Sequence, residues 1–252
     1  MMYEDFGKIL INGGNRGLGL GFVKQLLSQA PQKIFATYRS AETAKELLEL
    51  ATNNPRVLIP ILADSTCEED VSNVAKMVSQ ETSKLDLVIN CVGYLHNVQH
   101  GPEKSLRQIN ANQLLESAKV NALPTLLLAK YFQKLLKHDQ PSVFSAISAR
   151  VGSIEDNRMG GWYSYRGSKA MLNMMISNIA IEFHRTNPNT KVLALHPGTV
   201  STRLSEPFSK NLAPEKLFSI DYSVNCLLDV IKNTEKKPRG GFYAWDGEEI
   251  AW

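Results

Sequence analysis

Seven short runs of apolar and β-branched residues punctuate the chain: Lys8–Ile11, Lys33–Tyr38, Arg56–Ala63, Leu85–Cys91, Ser142–Ile147, Lys191–His196 and Gly241–Trp245. Within them hydrophobic positions follow one another almost without interruption, as in strands covered on both faces. Most of the intervals are long enough for a helix with apolar positions three and four apart, as in Leu20, Val23, Leu26 and Leu27. This alternation predicts a parallel sheet flanked by helices, and the handedness of the crossovers makes it doubly wound. Ligands of such sheets sit at the carboxyl ends of the strands. No low-complexity stretch, charge block, repeat or linker interrupts the 252 residues, so one domain over residues 1–252 is expected.

Composition mainly excludes. With 28 Lys+Arg against 25 Asp+Glu the formal charge is +3, which offers no electrostatic footprint for nucleic acid or an anionic membrane. The longest apolar runs, such as that around Leu126, Leu127 and Leu128, fall short of the roughly 20 residues that cross a bilayer. Glu4 and Asp5 stand where a secretory leader would carry basic residues. Cys67, Cys91 and Cys226 are odd in number and lack CxxC spacing, so neither a disulfide framework nor a thiolate metal site is expected. His96 and His100 have ligand-like spacing but no evident third ligand, and no metal is expected. The expectation is a cytoplasmic protein in a reducing compartment.

The first run ends in Asn12-Gly13-Gly14-Asn15-Arg16-Gly17-Leu18-Gly19, and a helical pattern follows at once. Glycines at a strand-to-helix turn let backbone N–H groups approach a phosphate, and the helix N-terminus adds favourable partial charge. Gly13, Asn15, Arg16, Gly17, Leu18 and Gly19 are therefore candidate ligands of a dinucleotide. The second run ends in Thr37-Tyr38-Arg39-Ser40, with no acid before Glu42. An NAD site usually places a carboxylate there for the ribose 2′-hydroxyl. Arg16 and Arg39 suit a 2′-phosphate instead, because guanidinium pairs with phosphate in a planar fork. NADP(H) is expected; otherwise Arg39 is a solvated surface residue.

The glycine turn, Asn90-Cys91-Val92-Gly93 and Tyr165-Arg166-Gly167-Ser168-Lys169 occur in this order along the chain. Together they resemble the classical short-chain dehydrogenase/reductase family. The stretch from Ala146 to Asn173 is similar, more narrowly, to its C-factor and sniffer-type carbonyl reductases. The resemblance covers essentially the whole chain. It implies a single-domain, doubly wound α/β Rossmann-type fold of about seven strands, and hydride transfer between NADP(H) and a small carbonyl or alcohol. It further implies that Asp64 meets the adenine amino group, although Asp64 also suits a helix cap beside Ser65 and Thr66. Asn90 and Gly93 would close the fourth strand along the adenosine. Cys91 and Val92 depart from the family's usual residues, in a turn that acts largely through its backbone.

Tyr165 and Lys169 are four apart, hence on one helix face, which continues through Leu172, Met175 or Ile176, and Ile179. A phenol titrates near about 10 and is idle at neutral pH. A neighbouring ammonium and the positive ring of an oxidised nicotinamide would favour the phenolate and lower that value. Tyr165 would then give its proton to the carbonyl oxygen, or take it back in the reverse direction. By resemblance, Lys169 would also bind the nicotinamide ribose. Most relatives carry a serine three residues before the glycine that follows the fifth strand; here that position is Ala149 in Ile147-Ser148-Ala149-Arg150-Val151-Gly152-Ser153. Ser148 is offset by one residue, toward the opposite face of a strand unless a bulge re-aims it, and Ser153 lies just past the glycine. Ser148, Ser153 or no serine serves.

Asn121 precedes Pro124, which removes a helical hydrogen bond and predicts a kink. The resemblance implies that the Asn121 carbonyl holds a water leading to Lys169; the alternative is an Asn satisfied by a neighbouring strand end. By the same resemblance, His196-Pro197-Gly198-Thr199-Val200-Ser201-Thr202 is a turn where Pro197, Gly198, Val200 and Thr202 hold the nicotinamide carboxamide and pyrophosphate. His196 itself reads as a packed or capping residue. Met159, Trp162, Leu204, Phe208, Leu212 and Phe218 suggest an apolar substrate wall, a lid or an oligomer contact. A homodimer or homotetramer is expected by resemblance. An NADP-dependent carbonyl reductase leads, against a cofactor-binding regulatory protein of the C-factor type with little turnover, which Ala149 favours.

Overall fold

The computed structural model describes residues 6–97, 99–209, 213 and 216–252. All seven apolar runs contribute a strand: β1 (Lys8–Asn12), β2 (Lys33–Tyr38), β3 (Leu58–Leu62), β4 (Leu87–Asn90), β5 (Ser142–Ile147), β6 (Thr190–His196) and β7 (Gly241–Ala244). They form one sheet in the order β3-β2-β1-β4-β5-β6-β7, and every neighbouring pair is parallel. Between them lie α1 (Gly17–Leu27), α2 (Lys45–Asn53), α3 (Glu68–Glu81), α4 (Ala111–Asn121), α5 (Leu123–Leu136), α6 (Tyr163–Thr186), the single turn α7 (Glu206–Ser209) and α8 (Ile220–Asn233).

The continuous apolar runs divide their side chains between two cores. Leu10, Phe35, Val88 and Phe144 face α3, α5 and α6, while Ile9, Ile11, Ile34 and Ile89 face α1 and α8. Adjacent residues of one strand thus serve opposite layers, as the two-residue period of a strand requires. Three strands are shorter than their runs, β7 by Trp245 alone. Leu85 lies outside β4 because its N–H bonds the Leu135 carbonyl, and Val57 closes a turn onto Asn54 before β3. Pro60, which cannot donate to a ladder, sits in β3 at the sheet edge.

The strand order reverses at β1, which has β2 on one side and β4 on the other. A crevice opens at the carboxyl ends of strands at such a switch point. The glycine turn, the segment after β4 and the turn after β6 all leave the sheet at that edge. Among the described residues no helix is long and apolar enough to cross a membrane.

Candidate active site

The glycine turn is held open by its own backbone. Gly13 and Gly17 have left-handed φ of 78° and 53°, and a Cβ on Gly19 would lie 2.0 Å from the Gly13 carbonyl oxygen. A Cβ on Gly17 would lie in ordinary contact with Thr202 Cγ2, at 3.7 Å, so this turn comes close to the one after β6. A buried polar chain fixes the turn from behind. Gly13 N donates to Thr37 Oγ1 (2.9 Å), whose hydroxyl donates to Asn12 Oδ1 (2.6 Å). Asn12 Nδ2 donates to Asn90 Oδ1 (2.8 Å), and Asn90 Nδ2 to Thr125 Oγ1 (2.8 Å). Asn90 Oδ1 also accepts Val92 N (3.1 Å), which shapes the turn that Cys91 and Val92 were expected to leave intact. The chain links β2, β1, β4 and α5, and leaves each buried polar group partnered. Asn12, Thr37 and Thr125 are supports that the motifs alone do not announce.

At the other rim, Asn15 Nδ2 donates to Thr43 Oγ1 (3.0 Å), tying the glycine turn to the segment after β2. Arg16 and Arg39 are exposed on these two tied segments. Leu18 is half-buried against the α1 side of the core. Asp64 Oδ1 accepts both the N–H and the hydroxyl of Thr66 at 2.9 and 2.8 Å, so it turns the chain toward α3. Its pKa is lowered: although burial works against the charge, the Thr66 hydrogen bonds and the Arg39 and Lys119 charges favour it. A carboxylate oxygen accepts from a ligand amine as readily as from Thr66.

Tyr165 and Lys169 stack on α6 as their spacing predicts, with Lys169 Nζ 5.8 Å from the Tyr165 ring centre. Both are buried. Lys169 Nζ donates to the Ile147 carbonyl at the end of β5 (2.9 Å). The Tyr165 hydroxyl has no protein hydrogen bond among the described residues and is not sealed from solvent. Burial lowers the Lys169 pKa to about 8 and raises that of Tyr165. Desolvation sets the direction at Tyr165 in the free chain, and the Lys169 ammonium is directed at a carbonyl. Gly93 faces the same space, since a Cβ on it would lie 3.8 Å from Lys169 Nζ and 3.7 Å from Asn121 Oδ1.

The kink expected at Pro124 is a full break between α4 and α5, immediately after Asn121. The Asn121 side chain clasps the segment after β4, accepting from Tyr94 N (2.7 Å) and donating to Tyr94 O (2.8 Å) and Ser168 Oγ (2.8 Å). The two candidate serines are engaged within the fold. Ser148 Oγ donates to Asn173 Oδ1 (2.6 Å), one helical turn beyond Lys169, and Ser153 Oγ accepts Asp156 N (3.0 Å). Ala149 is partly exposed at the end of β5 in extended conformation. The turn it opens lies against α6, where a Cβ on Gly152 would come within 2.8 Å of Lys169 Cβ.

After β6, Gly198 has φ 75°, and any side chain there would strike the Phe218 ring. Pro197 O accepts Ser223 Oγ at 2.8 Å, Val200 O accepts Ser205 Oγ, and Thr202 N donates to Ser205 Oγ at 3.2 Å. His196 is half-buried and its pKa falls to about 4, because desolvation and then Arg150 disfavour its charge. Of the wall residues, Trp162 packs on Phe208 (5.1 Å between ring centres) and on Tyr165 (6.2 Å). His96 packs on Phe208 (5.7 Å). Phe218 instead joins Trp245 and Tyr222, and Met159 is 90% exposed. Leu212 lies outside the described residues.

A family model for short chain dehydrogenase matches residues 8–213. The chain belongs to this family. Among solved structures, NADPH-bound carbonyl reductase from chicken fatty liver is 30% identical, with a TM-score of 0.87 over 98% of this chain and 100% of that one. The carbonyl reductase Sniffer of Drosophila melanogaster is 28% identical, with a TM-score of 0.85 over 98% and 99% of the two chains. In sequence, the 1-hydroxy-2-glutathionyl-2-methyl-3-butene dehydrogenase of Rhodococcus is 27% identical over 97% of this chain and 99% of its own. An oxidoreductase of Schizosaccharomyces pombe is 29% identical over 95% and 96%. These matches support membership of the family close to its carbonyl reductase branch, as an oxidoreductase.

Proposed function

We propose that this protein is an NADP(H)-dependent carbonyl reductase in which Tyr165 is the general acid. One observation carries the reading: Tyr165, whose hydroxyl has no protein hydrogen bond among the described residues, stacks one helical turn from a buried Lys169, and the Lys169 Nζ lies 3.8 Å from where a Cβ on Gly93 would stand. The glycine turn fits a pyrophosphate, because its backbone is fixed by the Thr37–Asn12–Asn90 chain and its left-handed glycines leave the N–H groups at the start of α1 unshielded by side chains. Gly13, Asn15, Arg16, Gly17, Leu18 and Gly19 would hold the phosphates, Asp64 and the segment Asn90–Gly93 the adenosine, and Pro197, Gly198, Val200 and Thr202 the carboxamide end. Arg16 and Arg39, with no acid at the end of β2, support a 2′-phosphate. Bound NADPH would supply the hydride.

The chain's own part is proton delivery and orientation. Raised by burial, the Tyr165 phenol stays protonated at neutral pH, the form that donates to a carbonyl oxygen. Lys169, at about 8, is mostly charged at pH 7 and stabilises the phenolate left behind. Asn121 holds the Tyr94 backbone and Ser168 in register with both. Replacing Tyr165 with Phe should abolish NADPH oxidation across a carbonyl panel while NADPH binding persists. Equal, background rates for wild type and variant would leave the second reading, a coenzyme-binding regulatory protein, which Ala149 and the engaged Ser148 favour. The exposed Leu114 and Leu115 of α4 and Met171 and Met174 of α6 support a homo-oligomer through that face.

A further inference from the structure

Helix α6 carries Tyr165 in its first turn, yet its own sequence provides no cap. Trp162 at the N-cap has no side-chain hydrogen bond and a left-handed φ of 50°, and the first turn holds no acid. The first N–H groups of a helix need partners, usually an N-cap oxygen on the second or third residue. Here the partner comes from the loop after β4. Glu103, only 2% exposed, accepts Ser164 N through Oε2 (3.2 Å) and the Ser164 hydroxyl through Oε1. Its main-chain carbonyl accepts Trp162 N at 2.5 Å. A buried carboxyl is costly unless hydrogen-bonded, and these bonds all fall within three residues of Tyr165. The same loop is anchored at its start, where Asn121 grips both polar groups of Tyr94.

We propose that Glu103 is a positioning residue for the reaction: it caps α6 from outside and thereby fixes the Tyr165 hydroxyl and the Trp162 wall relative to the crevice. The inference rests on the reductase reading for its catalytic consequence, but the cap itself is testable without turnover. Glutamine keeps an oxygen for Ser164 N and a similar shape, whereas alanine removes both acceptors. Hydrogen exchange by mass spectrometry on the unliganded full chain should therefore quicken by about fivefold or more across residues 163–166 in Glu103→Ala, as loss of a cap predicts. It should remain near wild type in Glu103→Gln. In the NADPH assay at a temperature where both variants are folded, kcat should fall roughly ten- to a hundredfold in Glu103→Ala, with NADPH affinity within about twofold. Glu103→Gln should recover most of that rate. Unchanged exchange in Glu103→Ala overturns the cap whatever the activity. A faster exchange with wild-type kcat, or a kcat loss matched by lost NADPH binding, overturns the positioning role. If Glu103→Ala does not fold, failure of Glu103→Gln to protect the same peptide overturns the proposal. Inactive wild type with the exchange pattern intact instead defeats the reductase reading alone.

Discussion

The absence of a serine at Ala149 makes a paired substitution informative. In Ser148→Ala the donor of a 2.6 Å bond is lost, and its acceptor Asn173 already has a buried Nδ2 without a partner. Stranding the Asn173 side chain entirely should cost about 1–3 kcal/mol, because the group keeps its desolvation penalty without the bond. For a chain of this size that lowers the melting temperature by roughly 2–10 °C. Since the hydroxyl is turned to Asn173, kcat/KM at a temperature where the variant is folded should change by no more than about threefold. Ala149→Ser should act the other way. The residue is extended, partly exposed and followed by the turn that touches Lys169, so a hydroxyl fits without backbone change. A pre-aligned donor to a developing oxyanion is worth roughly a hundredfold or more; one added to an unprepared site should give about tenfold in kcat/KM. Both effects are read from initial rates of NADPH consumption with a fixed carbonyl substrate and from thermal melts. A hundredfold loss of kcat/KM in Ser148→Ala with an unchanged melting temperature would refute this reasoning, because the Ser148 hydroxyl would then be serving substrate.

Arg39→Asp should weaken NADPH and improve NADH, reversing the preference measured by kcat/KM ratios; an unaltered NADPH constant removes the 2′-phosphate assignment. Lys169 and Lys191 both titrate at about 8 in the fold because burial disfavours their charge. The unfolded chain thus binds more protons from about pH 8 to 10, and stability should rise over that window by up to roughly 1.4 kcal/mol per pH unit per lysine. Urea midpoints should record the rise, with a smaller slope in Lys191→Met. Substituting Glu for Leu115 and Met174 together should leave a monomer in sedimentation analysis, with NADPH binding retained.

Strand positions were legible because a strand with two cores to fill must be apolar on both sides, and no other element gives such short unbroken runs. The Tyr165–Lys169 face was legible because helical spacing needs no tertiary information. Less was available where the partner lies far along the chain. Glu103 reads in sequence as one more charged loop residue beside Lys104, and only the fold brings it 61 positions forward to Ser164. Asn12, Thr37 and Thr125 sit in or beside apolar segments, a hint of a buried polar network without any indication of pairing. The acid strength of Tyr165 was read from its lysine neighbour and an oxidised nicotinamide ring, without the burial of the phenol itself. Sequence spacing shows which charge is near but not where it points, and Lys169 points to Ile147 O. For Ser148, period-two parity already set it on the other face from Ala149; the Asn173 bond gives that parity its cause.

The hydrogen-bonded chain from Gly13 to Thr125 also bears on the rate and heat of coenzyme capture. Its donors and acceptors already satisfy one another across four elements, so the glycine turn has little conformational freedom left to surrender on association. Capture should accordingly be fast and leave the backbone of β1 and β4 unmoved, and its entropy penalty should come mostly from the dinucleotide, a flexible molecule meeting a rigid mould.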